Sequence, residues 1–272
     1  MTNSPVSVVM YTRGTGSGHI ARINAVYRGF RRAKLPVTFH ASAYRSKYLS
    51  LLDPGIRRLR REDFPERCDI FICDWSADAF VLGLPRSCAR LWVGLKRLGT
   101  IPDEFPNYFH VVGIEPNVAA DIIIWPIIST WHDDQLSRDE IQNLLNVNDA
   151  RAIYLLCENG AYPKHLKPVF TFPLQHDGHL FRCSNSPFAG EIADIYYYPI
   201  ARLFGGIDGL VLGGGYNSVH EALSHAKLEH TTFVRVGGDD QARRMRLSLN
   251  WEHGRDSASH ELARHLYKLI HD

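Results

Sequence analysis

Two glycine-rich turns constrain this chain more than any other feature, because each follows a short apolar run and opens a stretch of helical periodicity. The first, Gly14-Thr-Gly-Ser-Gly-His19, lies between the apolar run Val6–Tyr11 and the stretch Ala21–Ala33. There Ile23, Val26, Tyr27 and Phe30 recur near the helical repeat. The second, Gly213-Gly-Gly215, lies between Gly209–Leu212 and Asn217–His225. Strand, glycine turn and helix in that order is the opening unit of a parallel sheet wound with helices. Glycine lets backbone approach a ligand closely, and a helix N-terminus offers unpaired N–H groups and a positive dipole. Each turn is therefore a candidate phosphate site.

The surrounding pattern extends the same architecture. Val37–His40, Ile70–Asp74, Leu91–Gly94, Val111–Ile114 and Ile122–Trp125 read as further strands, giving the first half a five- or six-stranded sheet. Residues 126–149 read as a connector, in which Ser137-Arg-Asp-Glu140 is a capping box opening a short helix through Leu145. A second set follows, with strands at Ile153–Cys157, Pro168–Phe172, Gly209–Leu212 and Thr232–Val236. Ile192–Phe204 reads as mostly helical, and Gln241–Leu249 and Ser259–His271 as terminal helices. The expected fold class is α/β, with two Rossmann-like domains facing a cleft. The first spans 1–125 and the second 150–272, with the last helix able to pack back on the first domain.

Composition narrows the class. The 272 residues are 45% hydrophobic and 22% charged, which fits a globular chain and excludes fibrous and low-complexity ones. The longest apolar runs, such as Ile122–Ile128 with Pro126 inside it, fall short of the roughly 20 residues of a membrane-spanning helix. No basic flank and long apolar core mark a signal peptide, so a cytoplasmic location is expected. Cys68, Cys73, Cys88, Cys157 and Cys183 have no metal-ligand spacing and read as buried thiols. Neither a metal nor a disulfide framework is expected.

Net charge is +2, unevenly divided: residues 1–125 hold 17 Lys+Arg against 11 Asp+Glu, and the rest 14 against 18. So small a total argues against a dedicated nucleic-acid partner. The basic cluster of Arg57, Arg58, Arg60 and Arg61, with Arg28, Arg31, Arg32 and Lys34, reads as a solvated helix face partly paired with Glu62, Asp63 and Glu66. Peripheral contact with anionic lipid, or with an anionic acceptor, is the alternative.

The first turn does not read as a dinucleotide site. His19 stands where that fingerprint wants a small residue, and Phe39-His40-Ala41-Ser42 offers no acid for a ribose. A histidine at the start of a helix is disfavoured in its charged form, and a neutral imidazole there can act as general base. Helix capping or core packing is the plainer role for it. Asp74, ending a strand, can orient His19, bind an acceptor, or be an ordinary turn acid. In the second turn Asn217 and Ser218 can bond phosphate oxygens, and Glu221, one turn further, can take vicinal hydroxyls. Gly237-Gly-Asp-Asp240-Gln241 sets an acid beside an amide, suited to sugar hydroxyls. Alternatively, Asn217 or Ser218 caps the helix, Glu221 completes the cap and Asp240 begins the next helix.

Taken together, these residues resemble the nucleotide-sugar glycosyltransferases of GT-B architecture, including the MurG-type and UDP-glycosyltransferase families. The likeness rests on Gly215, Asn217, Ser218, Glu221, Asp240 and Gln241 in their order and spacing, and extends along the whole chain. The run Gly16-Ser17-Gly18-His19-Ile20-Ala21-Arg22 is also similar to that of PseG-type nucleotide-sugar hydrolases. The resemblance implies that Gly213, Gly214, Gly215, Asn217 and Ser218 hold the diphosphate, Glu221 the ribose, and Asp240 with Gln241 the donor sugar. Gly16, Ser17, Gly18 and Arg22 are implied on the substrate side, with His19 as base and Asp74 beside it. No metal or cofactor is implied beyond the nucleotide-sugar itself, a UDP-sugar, which is substrate, as is an unidentified acceptor. The sequence departs from the family at two places. Gly213 stands where plant-type members carry a phosphate-contacting histidine, and the Ile153–Cys157 strand runs into Cys157-Glu158-Asn159-Gly160 with only one glycine. A hydrolase using water in place of the acceptor, and a non-catalytic nucleotide-sugar-binding partner, are the competing readings.

Overall fold

A computed structural model describes residues 4–14, 16–43, 46, 48–99, 105–157, 178–185, 193–226, 228–234 and 239–272. The chain divides into two compact units, Met1–Ser129 with Ser257–Asp272, and Thr130–Asp256.

The first unit runs β1 (Val6–Thr12), α1 (Ser17–Arg32), β2 (Val37–Ala43), β3 (Arg57–Arg58), β4 (Cys68–Asp74), α2 (Ala79–Leu82), β5 (Ala89–Lys96), β6 (His110–Gly113) and β7 (Ile122–Ile123). Among the described residues these strands form one parallel sheet in the order β3-β2-β1-β4-β5-β6-β7. Central strands of such a sheet are covered on both faces and read as continuous apolar runs rather than alternating ones. Val8, Val9, Met10 and Tyr11 of β1 and Ile70, Phe71, Ile72 and Cys73 of β4 are accordingly buried. On α1 the stripe Ile20, Ile23, Val26 and Phe30 is buried, while Arg31 and Arg32 occupy the last turn, where positive charge suits the dipole.

The second unit runs α3 (Arg138–Leu145), β8 (Ala152–Cys157), β9 (Gly178–Ser184), β10 (Ile195–Tyr196), a 3-10 turn at Ile200–Gly206, β11 (Gly209–Gly213), α4 (Tyr216–His225), β12 (Thr231–Val234) and α5 (Asp239–Ser248). Its sheet, also parallel, has the order β10-β9-β8-β11-β12. Ile153, Leu155, Leu203, Leu210, Leu212 and Ala222 share its core. The Ser137–Glu140 capping box forms, and Asn146 ends α3 in the left-handed conformation. Asp208 accepts from Arg138 at 2.6 Å and from the Ile153 amide at 2.9 Å, joining α3 to β8. The chain then returns to the first unit as α6 (Ser259–Leu269), which packs on α1 through Leu262, Ala263 and Leu266.

The structure differs from the sequence reading in detail. Among the described residues the first sheet has seven strands, because β3 pairs with β2 through Arg57 and Arg58, opposite His40 and Ala41. Those arginines are therefore an exposed, charged edge strand, a common guard against edge pairing, and not a helix face. Ile195 and Tyr196 of the stretch read as helical instead pair with Cys183 and Ser184 of β9, and only a 3-10 turn follows Pro199. The strand expected at Pro168–Phe172 lies outside the described residues, as do residues 235–236 of Thr232–Val236 and Ile192. All five cysteines are free and buried, and burial pushes the Cys68 and Cys183 thiols up to about 12. Among the described residues no helix is long and apolar enough to cross a membrane.

One half-buried histidine adds acid sensitivity to the fold. His225, at the end of α4, has Nε2 3.0 Å from Thr130 Oγ1 and its ring edge-on to His132. Burial, then the neighbouring His132, lowers its pKa from 6.5 to about 4. Below its unfolded pKa the open chain takes a proton that the folded chain refuses, so stability falls as pH drops from 6.5 towards 4 and is untouched above 6.5. The loss from this group reaches at most about 3 kcal/mol. Urea unfolding of wild type and His225→Gln at about pH 7.5, above the window, and about pH 4.5, near its lower end, should show a smaller acid loss in the variant. Equal losses would remove His225 as the cause.

Candidate functional site

A doubly wound sheet binds ligands outside the carboxyl ends of its strands, at the point where strand order reverses. In the first unit that point lies between β1 and β4, whose last residues, Thr12 and Asp74, are register partners. From Thr12 the chain passes Gly14 and enters α1 through Gly16. Gly16 is the extended N-cap, no side chain caps the helix and its first turn holds no acid. Ser17 and Gly18 are the first two residues of α1, both partly exposed. The positive end of a 16-residue helix therefore opens at the switch point with no side-chain cap and no acid in its own first turn.

His19 and Arg22, one turn apart on α1, both reach Asp74. Arg22 Nε donates to Asp74 Oδ1 at 2.8 Å and Nη2 to Oδ2 at 2.9 Å. The carboxylate is fully buried and the guanidinium 2% exposed. Burial alone would raise the Asp74 pKa, but Arg22 and then His19 overcome it and hold the carboxyl well below its usual range. Asp74 is thus an anion and only accepts. His19 Nδ1 lies 2.6 Å from Asp74 Oδ2, 2.8 Å from Thr12 Oγ1 and 2.9 Å from Arg22 Nη2. Nδ1 faces two opposite demands, Asp74 Oδ2 favouring a proton on it and Arg22 Nη2 a lone pair; the carboxylate is the nearer, and Nη2 has Asp74 Oδ2 itself as acceptor at 2.9 Å, so the balance selects Nδ1–H. Nδ1–H therefore donates to Asp74, and Nε2 is left with its lone pair.

The ring is also held neutral. Burial lowers the His19 pKa most, Arg22 adds to that, and Asp74 opposes it without reversing the direction. Thr12 Oγ1 donates to Asp74 Oδ2 at 3.2 Å and accepts from the Gly14 amide. A side chain at Gly14 would run into the His19 imidazole, which explains the glycine there. Together these contacts give a neutral, oriented imidazole, 13% exposed and fit to take a proton.

The second unit repeats the plan. Its order reverses between β8 and β11, and β11 ends in Gly213 and passes through Gly214 and Gly215 into α4. Gly215 is the N-cap, again with neither a side-chain cap nor an acid in the first turn. Asn217 and Ser218 are therefore not caps: they lie inside the first turn, both buried. Glu221, half-buried on the same helix, is close enough to Cys157 at the end of β8 to help push that thiol up, after burial and Cys183. Asp240 is the second residue of α5, with Oδ2 3.7 Å from Arg244 Nη1. A side chain on Gly214 would meet Met245 Sδ at 2.6 Å and Gln241 Cβ at 3.3 Å, so α5 packs directly on the glycine turn. Residues 235–238 of the loop before α5, and 158–160 after β8, lie outside the described residues.

Three features escaped the sequence reading. Arg244, fully buried on α5, donates to Gly214 O at 3.2 Å and fixes the turn. One arginine in Arg243-Arg244-Met245-Arg246 carries no signal that it alone turns inward. Thr12 is a strand-end residue visible only through register. Arg22, expected against substrate, is buried on Asp74, a position that the spacing from His19 fits but does not announce. Among the described residues no three His, Cys, Asp or Glu side chains converge as metal ligands.

No protein-family model matches the chain, and no curated protein matches it as a relative.

The buried pair yields a stability test. Removing one partner of a buried ion pair strands the other, at about 3–5 kcal/mol. Arg22→Met should cost that much in urea unfolding, while the double variant Arg22→Met/Asp74→Leu should cost less than the single one. A double variant less stable than Arg22→Met would show that the pair is not what the site rests on.

Proposed function

We propose that this chain is a nucleotide-sugar-dependent glycosyltransferase of GT-B type that uses a UDP-sugar and needs no metal. The observation that carries the reading is the hydrogen-bonded pair of Asp74 and neutral His19 at the switch point of the first sheet. A supporting one is the uncapped, glycine-opened α4 at the corresponding point of the second.

Each unit has one chemical part. In the second, the positive end of α4, with Asn217 and Ser218, binds the diphosphate, Glu221 the ribose and Asp240 with Gln241 the sugar. In the first, His19 Nε2 takes the proton of the acceptor hydroxyl as that oxygen bonds to the anomeric carbon. The bond from that carbon to the diphosphate breaks, and its electron pair leaves on the nucleotide. The α4 dipole offsets the charge that develops there. Asp74 stabilises the imidazolium through Nδ1–H, the part a carboxylate plays behind a catalytic histidine.

Turnover of a UDP-sugar, followed by phosphorus NMR, should fall at least about 100-fold in His19→Ala with donor affinity little changed. Glu221→Ala should instead weaken UDP binding. Because the lowered pKa keeps His19 neutral, activity should be flat through neutral pH and fall only below 6.5, as the base is protonated. Unchanged turnover in His19→Ala would remove it from the mechanism. Steady His19-dependent release of UDP without an acceptor would make the enzyme a hydrolase of the same substrate.

A further inference from the structure

Trp75 follows Asp74 directly and has φ +80°, a left-handed backbone that a bulky side chain rarely adopts. Its amide donates to Leu95 O at 3.2 Å, fixing the turn at the end of β4 against β5. Around its ring stand three side chains from neighbouring elements. Arg13 Cζ lies 5.1 Å and Arg97 Cζ 5.0 Å from the ring centroid, and the His19 ring 6.1 Å. Arg13 is the first residue after β1 and Arg97 the first after β5. Three adjacent strands thus each end in one member of the group, at the edge where His19 sits.

Charge at this edge is unbalanced. Its buried carboxylate, Asp74, is already matched by Arg22, and His19 is neutral. Glu115, also buried, accepts the amide of Leu98 beside Arg97. Even with a carboxylate assigned to Arg97, exposed Arg13 makes no ion pair and leaves the edge positive, both among the described residues. A guanidinium held against an aromatic ring keeps its planar donor edge for an oxyanion, which it can grip through two hydrogen bonds.

We infer that the substrate which meets His19 carries an anionic group, a phosphate ester or a carboxylate, bound by Arg13 and Arg97 beside Trp75. The inference rests on His19 as the base and names the class of molecule whose hydroxyl it deprotonates. Trp75 packs against both guanidinium groups and holds their donor edges in place.

The test follows the indole N–H resonance of Trp75, assigned with Trp75→Phe, in nitrogen-labelled protein titrated with glucose 1-phosphate, glucuronate and glucose. One or both acids should shift it saturably, and which of them does so identifies the anion; glucose should not. Arg13→Gln and Arg97→Gln should each raise the dissociation constant at least about fivefold, and Arg13→Lys should restore part of the loss. Arg13 is exposed, so its variants leave the core intact. An equal response to glucose, no saturable response to either acid, or a response that both glutamine variants leave unchanged would overturn the inference. So would a Trp75 shift by UDP that Glu221→Ala abolishes, since the arginines would then serve the donor. UDP affinity, measured by calorimetry on the same protein, separates the two readings. UDP binding with a silent Trp75 sinks the anionic substrate alone. A responsive Trp75 without UDP binding sinks the nucleotide-sugar reading and supports the anion site.

Discussion

A carboxylate with no exposed surface stays ionised only where a cation meets it, and at Asp74 that cation is Arg22, itself buried and bonded through both Nε and Nη2. Everything distinctive in the first unit's site follows from this pair. An ionised Asp74 favours the proton on Nδ1 of His19, and thereby leaves Nε2 with the lone pair. The same arginine, by its charge, helps keep the imidazole neutral. A buried ion pair adds little stability in itself, because desolvation offsets the attraction. Its worth here is positional: it holds a reactive side chain in one tautomer and one orientation.

The second unit solves a related problem with backbone. A glycine turn presents carbonyls as well as amides, and the carbonyls must be satisfied if the amides are to face an anion. Arg244 does this by taking Gly214 O from inside, while Gly215 opens α4 with no competing cap. Both units therefore place a helix N-terminus without a side-chain cap at a strand-order reversal, one beside His19 and one beside Asn217 and Ser218.

Much of this was legible in the residue order. Glycine after an apolar run marked both switch points, since only there does a strand have to hand over to a helix across so little chain. The Ser137–Glu140 box marked α3 because its signal is local and reciprocal. Reading failed where the cause lay elsewhere in the fold. Arg57 and Arg58 form a strand because β2 offers them partners, and Ile195 and Tyr196 because β9 does; neither fact leaves a periodic trace. The inward turns of Arg22 and Arg244 were hidden for the same reason, as a buried arginine has the same letter as a solvated one. The pairing of His19 with Asp74, 55 positions apart, became definite only through the register of β1 with β4.

The account stands most directly on the state of one ring. Nitrogen NMR of the His19 imidazole, titrated with pH in wild type and in Asp74→Asn, reads both its protonation and its tautomer. The account predicts a neutral ring at pH 7 with the proton on Nδ1, titrating below 6.5, and loss of that tautomer's dominance in Asp74→Asn. A His19 that is charged at pH 7, or that carries its proton on Nε2, would contradict it.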